Sequence, residues 1–221
     1  FLNKTLLMVK HTFVVQHQNI NRMKRLFTAV AIIGLSFTAF VSASAAPPKK
    51  YVVDTAATSL NWLAKKVTGS HNGTIKVSGG DITIDGVKVQ SGNFAIDMNS
   101  MVILDIQGGS NAKLLGHLKS DDFFSVEKFP STSFVLTSVT QKSGSTYTVK
   151  GKLTIKGITQ NIEFPAEIGF SGKTMTAKAK ITVDRTKFEI KYRSANWVEN
   201  LGDKAIYDDF ELELNLVAKT S

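Results

Sequence analysis

Thr146-Tyr147-Thr148-Val149-Lys150-Gly151-Lys152-Leu153-Thr154-Ile155-Lys156 decides the fold of this chain. Tyr147, Val149, Gly151, Leu153 and Ile155 take every second position, and threonines and lysines take the others. Side chains alternate between two faces in a strand, whereas a helix repeats every 3.6 residues, so the segment is a strand with one wet face. The pattern returns in Met175, Ala177, Ala179, Ile181 and Val183, set against Lys178, Lys180 and Thr182. It returns again in Phe210, Leu212, Leu214 and Leu216, set against Glu211, Glu213 and Asn215. Further strands are expected at 59–66, 72–78, 81–85, 88–101, 131–141 and 160–170. Asn72-Gly73, Gly79-Gly80, Asp85-Gly86, Ser143-Gly144 and Ser171-Gly172 supply the turn chemistry between strands.

Eight or nine strands with one polar face each form an antiparallel sheet. Closing that sheet into a barrel removes both unpaired edges; a two-sheet sandwich is the second arrangement open to it. The length of strand 88–101 and the small inward pair Ala177 and Ala179 favour the barrel, because small inward residues leave space inside. The expected fold is therefore all-β, interrupted by one short helix near 111–124. Asn111 or Ser110 would cap this helix, with Leu114, Leu115 and Leu118 on one side. Its end, His117-Leu118-Lys119-Ser120-Asp121-Asp122-Phe123-Phe124, joins a histidine and acids to two phenylalanines. A second irregular region is expected from Tyr192 to Lys204.

The strands occupy only part of the 221 residues. Met23-Lys24-Arg25 precedes an uncharged, mostly apolar run from Leu26 to Phe40, and Val41 to Ala46 are small residues or valine. That order is the signature of a secretory signal peptide, and the run is short of the roughly 20 residues of a membrane span. The expected organisation is an upstream extension or misassigned start at 1–22, a signal peptide at 23–45 cleaved after Ala45, a flexible start at 46–50, and one domain at 51–221. A periplasmic or secreted location follows. The first 45 residues hold Lys4, Lys10, Arg22, Lys24, Arg25 and no acid, so 22 of the 27 basic residues face 18 acidic ones in the remainder, a net charge of +4. No basic cluster marks a nucleic-acid interface. With no cysteine, disulfides, thiol chemistry and a lipoprotein anchor are excluded.

Catalytic motifs are nearly absent. His71 and His117 are the only histidines after the leader. A metal site needs three or four ligands and a catalytic histidine needs a nucleophile and an orienting group, so each histidine reads better as the anchor of a turn. Asp208 and Asp209 are adjacent on a strand and point to opposite faces, which prevents them from acting as a carboxylate pair. Ser110-x-x-Lys113 and Ser125-x-x-Lys128 lack the partner motifs of acyl-transfer enzymes. No metal and no cofactor is expected.

Several motifs fall in a characteristic order. They are Tyr51-Val52-Val53-Asp54, Ser59-Leu60-Asn61-Trp62, Thr68 to Ile75, Gly116 to Phe124 with Phe129-Pro130, Gly151 to Thr159, Arg185 to Ile190, and Leu201-Gly202-Asp203-Lys204. Together they resemble the YceI-like family of exported lipocalin-like proteins over nearly all of residues 51–219. The chain departs from the common pattern at Thr58, Trp62 and Glu189, where His, Phe and Gly are usual. The resemblance implies an eight-stranded antiparallel lipocalin-like barrel whose tunnel holds a polyisoprenoid or isoprenoid quinone. Such a chain is apolar along its length and insoluble, so a wall of Phe, Leu, Ile and Val suffices to hold it. The expected wall residues are Trp62, Phe94, Leu114, Leu118, Phe123, Phe124, Phe134, Ile155, Phe164, Ile181, Phe188 and Ile190. Lys65, His117 and Lys119 are the expected partners of a head group. The protein would carry or sequester the lipid without altering it; the partner is an isoprenoid or other long-chain lipid, not nucleic acid, the protein is not integral to a membrane, and a homodimer stays open. Two rival readings are an enzyme using His71 or His117 on a lipid-like substrate, and a solidly packed barrel acting through its surface.

Overall fold

A computed structural model describes residues 47–85 and 88–220. The signal peptide expected at 23–45, its cleavage point and the 1–22 extension lie outside these residues. The described chain runs β1 (Lys49–Val53), β2 (Ser59–Lys66), β3 (Gly69–Asp85), β4 (Lys88–Ile103), α1 (Gly108–Lys119), β5 (Ser131–Ser143), β6 (Thr146–Ile155), β7 (Ile158–Ser171), β8 (Thr174–Asp184) and β9 (Ile206–Thr220).

All pairings are antiparallel, and β3-β2-β9-β8-β7-β6-β5-β4 closes on itself through β3–β4. The result is an eight-position barrel built from nine strands. The two counts agree because β1 and β2 lie end to end in one position between β3 and β9. β2 pairs with Gly69–Ile75 and Ile206–Asn215, and β1 with Asp81–Ile84 and Ala218–Thr220. The break between them is stitched to β9: Asp54 N donates to Val217 O at 2.8 Å, and Val217 N donates to Thr58 Oγ1 at 3.1 Å. Lys49 and Lys50, expected in a flexible start, are held in β1 opposite Ile84 and Thr83.

The alternating stretch behaves as its pattern requires. Val149, Gly151, Leu153 and Ile155 are buried inside β6 while Lys150 and Lys152 are exposed. The β6–β7 turn is Lys156-Gly157, at φ 50° and 74°. Positive φ at both central residues is what a type I′ hairpin needs. Gly144 and Gly172, at φ 51° and 57°, serve the turns expected after Ser143 and Ser171.

Two expected turns are corrected. Gly79-Gly80 and Asn72-Gly73 lie inside β3, a single 17-residue strand. Neither glycine of the 79–80 pair has positive φ, and the register slips between Val77 and Gly79. They form a bulge that bends a long strand around the barrel instead of reversing it. At Gly73 the reason is contact: a Cβ would lie 2.6 Å from Trp62 Cζ2 and would also strike the Val102 carbonyl. The reversal from β2 to β3 occurs at Val67-Thr68. The Asp85-Gly86 turn falls on residues 86–87, outside the described ones, although Asp85 pairs with Lys88 across it.

The helix begins and ends earlier than expected, at Gly108–Lys119 instead of 111–124, and neither Ser110 nor Asn111 caps it. Gln107 occupies the cap position without a side-chain bond. Asn111 instead donates to the carbonyls of Ile103 (3.1 Å) and Ile106 (2.9 Å), tying α1 to the end of β4. Ser120 closes the C-terminus, its N and Oγ both donating to His117 O. Residues 121–124 then fold back in turns that drive Phe123 into the core.

A short 3-10 turn, Arg185–Phe188, follows β8 and ends at Glu189 with φ 58°. A left-handed conformation costs a residue with a Cβ roughly 1–2 kcal/mol, and glycine nothing. Glu189→Gly is therefore expected to leave stability unchanged or raise it by up to about 1 kcal/mol, since glycine's extra unfolded-state entropy offsets part of the relief. The exposed Lys191–Glu189 pair adds little to the balance. Urea unfolding checks this, and a loss greater than 1 kcal/mol would mean the side chain is needed.

Candidate ligand tunnel

The inward residues do not fill the barrel. Two adjoining narrow chambers occupy it, with cavity volumes of about 110 and 100 Å3. They share Leu60, Ile96, Leu153 and Leu212, which form a waist between them. Lining positions on β9 run from Ile206 to Leu216. Ten steps of about 3.3 Å make roughly 33 Å along the strand, or roughly 25 Å along the axis at the tilt of about 40° usual for closed barrels.

Both chambers present almost wholly apolar surface, but different residues line them. Every residue lining the upper one, toward the β7–β8 turn, is aliphatic, aromatic or methionine. Here Phe134 lies between Phe94 and Phe164, with centroids 6.3 and 5.7 Å away. Alanines 166, 177 and 179 make the room, and Gly151 seats the Phe134 ring, which a Cβ there would strike. The lower chamber, toward α1, adds Trp62, Thr132, Arg185, Tyr207 and Asp209 to an apolar wall. Behind Phe123, His117 stands edge to face with Phe123 at 4.9 Å and with Tyr192 at 4.7 Å. They join α1 to the segment after β8 and close that end.

Of the wall residues expected from sequence, Phe94, Phe134, Phe164 and Ile181 lie in the upper chamber. Trp62, Leu118, Phe123, Phe124, Ile155 and Ile190 lie in the lower one. Two lie elsewhere. Phe188 is 1% exposed and belongs to the packed core, because the 3-10 turn carries it away from the tunnel. Leu114 is half-buried on α1, outside the core cluster that takes Leu115 and Leu118.

The three expected head-group partners line neither chamber. Lys65 points outward and donates to Glu211 Oε1 at 3.0 Å. Lys119 donates to the Asn99 carbonyl at 3.0 Å. His117 Nε2 lies 3.0 Å from Asp122 Oδ2, and His71 Nδ1 lies 2.7 Å from Asp105 Oδ2. Asp105 also accepts from Asn72 N, so His71 pins the β4–α1 loop against β3. Burial opposes the charge on Asp105, but the hydrogen bonds from Asn72 and His71 prevail and hold its carboxyl below the ordinary value.

Arg185 opens the Arg185 to Ile190 motif but carries no role read from sequence. It lines the lower chamber, is 4% exposed, and commits all its donors. Nε donates to Tyr207 O, Nη1 to Ile190 O and Tyr192 O, and Nη2 to Ile206 O and Asp208 Oδ1. Burial pushes its guanidinium below the ordinary value, with Asp208 and Asp184 opposing that shift. Arginine nonetheless stays charged in proteins. Asp208 is held in turn by Asn196 at 2.7 Å, while Asp209, one residue on, is exposed. No sequence pattern announces such a site, because four of the five acceptors are backbone carbonyls. Among the described residues, no group of three or more His, Cys, Asp or Glu side chains is placed to hold a metal ion.

Comparison with known proteins gives the fold a context. A model of the YceI-like domain matches residues 51–218. The UPF0312 protein of Pseudomonas putida (strain W619) is 29% identical over 154 residues, covering 68% of this chain and 76% of that protein. The UPF0312 protein of Shewanella oneidensis is 28% identical over 170 residues, covering 70% and 84%. Among solved structures, Burkholderia cenocepacia BcnA superposes with a TM-score of 0.61 at 23% identity, covering 75% of this chain and 98% of BcnA. A polyisoprenoid binding domain from Saccharophagus degradans, implicated in plant cell wall breakdown, superposes with a TM-score of 0.56 at 15% identity, covering 77% and 98%.

Proposed function

This chain belongs to the YceI-like family, and from that premise we propose that it is an exported, non-catalytic binding protein. It holds an isoprenoid-type lipid, a polyisoprenoid or an isoprenoid quinone, for carriage or sequestration. The observation that carries this reading is the unfilled two-chamber tunnel, whose upper half has no polar side chain. Each buried CH2 is worth about 0.8 kcal/mol, so a long apolar chain is held there without specific hydrogen bonds. The polyisoprenoid binding described for the Saccharophagus domain, on the same barrel, supports the assignment. The lipid lies with its tail in the upper chamber, whose lining is wholly aliphatic, aromatic or methionine. No helix of the described residues is long and apolar enough to cross a membrane. The site is the periplasm or the medium, reached through the 23–45 leader.

The test is native mass spectrometry of protein purified from its own host, followed by organic extraction. The expected result is a co-purifying isoprenoid on a polypeptide whose mass begins at Ala46. Protein that emerges empty and takes up no added lipid overturns the binding, and a retained leader overturns the export.

A further inference from the structure

Six of the nine large apolar side chains that stand exposed among the described residues gather at the α1 end of the barrel: Val67, Val102, Leu104, Trp197, Val198 and Tyr207. Trp197, Tyr207 and Leu104 are 57, 54 and 54% exposed. The fold holds these groups in place. Val67 N donates to Ala205 O at 3.1 Å, which joins the β2–β3 turn to the segment before β9. Trp197 N and Val198 N both donate to Ser194 O, and Asn196 donates to Asp208 Oδ2 at 2.7 Å, so the 194–198 turn is fixed against the start of β9. Lys191 Nζ stands 3.6 Å from the Trp197 ring centroid and steadies the indole from one side. A gathering of exposed apolar groups on one part of a surface marks a contact with a protein or a membrane.

We propose that this rim docks on a lipid bilayer, where the protein loads or releases its cargo. The proposal rests on the tunnel reading above. Two observations name the bilayer as the occupant. The rim is continuous with the tunnel wall: Ile206 and Tyr207 line both the lower chamber and an outer groove walled by Leu63, Val67, Ala195 and Ala205. A long isoprenoid is driven out of water, so a protein that holds one must take it from a bilayer and present its tunnel there. The second observation is the chemistry of the rim. Indole and phenol rings beside lysine and arginine make up the set that settles at a bilayer interface, with apolar bodies inward and polar tips in water. Charge adds no preference for a head group. Lys191 pairs with Glu189, Lys65 and Lys180 with Glu211, and Arg185 with Asp208. Lys66, Arg193 and Lys204 are balanced by Glu199, Asp203 and Asp209. Docking therefore proceeds by insertion of apolar groups and accepts zwitterionic lipid as readily as anionic lipid. β1 and the end of β9, through which the rest of the chain leaves, lie at the opposite end of the barrel.

Protein purified from its own host would be floated with vesicles of phosphatidylcholine, alone or with a quarter of phosphatidylglycerol. Tryptophan emission would be read in the same vesicles made with brominated lipid. The expected result is binding to both compositions with similar affinity, and quenching of an emission component that Trp197→Phe lacks. Trp197→Ser combined with Val67→Ser should lower partitioning roughly tenfold, since it withdraws on the order of 100 Å2 of apolar surface from the bilayer. Uptake of geranylgeraniol from detergent micelles should hold in that variant, which also shows that it folds. Phe170→Ser, at an apolar residue 53% exposed beside Tyr51 at the opposite end, should change nothing. Wild type that stays in solution with both vesicles overturns the proposal, as does Phe170→Ser failing equally. Binding confined to the anionic vesicles overturns the apolar mode of docking. A dimer that Trp197→Ser dissolves, without vesicle binding, makes a second copy the occupant and overturns it too. Ala179→Phe, with its tunnel blocked, should dock as wild type does. A wild-type protein that docks but holds no lipid defeats the function proposed above and leaves the docking surface standing.

Discussion

Arg185→Met should lower the unfolding free energy by about 3–5 kcal/mol, the usual cost of removing one side of a buried, hydrogen-bonded charge network. The carbonyls of Ile190, Tyr192, Ile206 and Tyr207 would lose their side-chain donor, and Asp208 its buried cation. Each buried acceptor left unsatisfied costs about 1–3 kcal/mol, less where water enters. Arg185→Lys should fail almost as badly, because a lysine offers three donors from one point where the structure uses a five-donor fork. At a slope of about 2 kcal/mol/M, the urea midpoint should fall by roughly 1.5–2.5 M. A drop of less than 1 kcal/mol would show that water replaces the guanidinium easily, and that the lower chamber is wetter than its lining implies. The same bonds tie residues 190–192 to the start of β9, so the variant should also release any bound lipid faster.

The second large effect concerns binding. Ala179→Phe should abolish lipid uptake, lowering affinity by on the order of 100-fold or more, because its ring occupies the upper chamber where the tail lies. Overpacking a filled core costs about 1–3 kcal/mol, but here the ring enters space that no atom occupies, so the fold should survive at the low end of that range. Lys178→Phe is the control. Its side chain is exposed on the outer face of the same strand, and uptake should not change. Extraction of bound lipid from both variants reads the outcome. Retention of lipid by Ala179→Phe would place the ligand outside the barrel.

Much of the fold was legible because period-two alternation is a local property of the backbone. Most strands announced themselves without reference to their neighbours, from Tyr147–Ile155 to Phe210–Leu216, though β1 did not and β3 read as two. The turn signals were less reliable. Ser143-Gly144 and Ser171-Gly172 are turns, whereas Gly79-Gly80 is a bulge and Asn72-Gly73 runs straight through β3. A glycine marks a place where a side chain would not fit, and a reversal is only one cause of that. At Gly73 the cause is Trp62, a cross-strand neighbour that the spacing along the chain does not reveal. The helix ran long in expectation because Phe123 and Phe124 continue its apolar spacing, while the bonds of Ser120 end it.

By itself, the sequence determined the all-β architecture, the faces of the strands, the single helix and the supply of aromatic residues for an interior. Only the tertiary structure decided which of those aromatics border empty space and which are packed solid. Phe164 lines a chamber and Phe188 does not, although both are buried phenylalanines. The difference arises because a cavity is what remains when side chains from many strands are summed, and no one strand carries that sum. The same holds for Arg185, whose partners lie between 5 and 23 residues away in sequence and are mostly carbonyls.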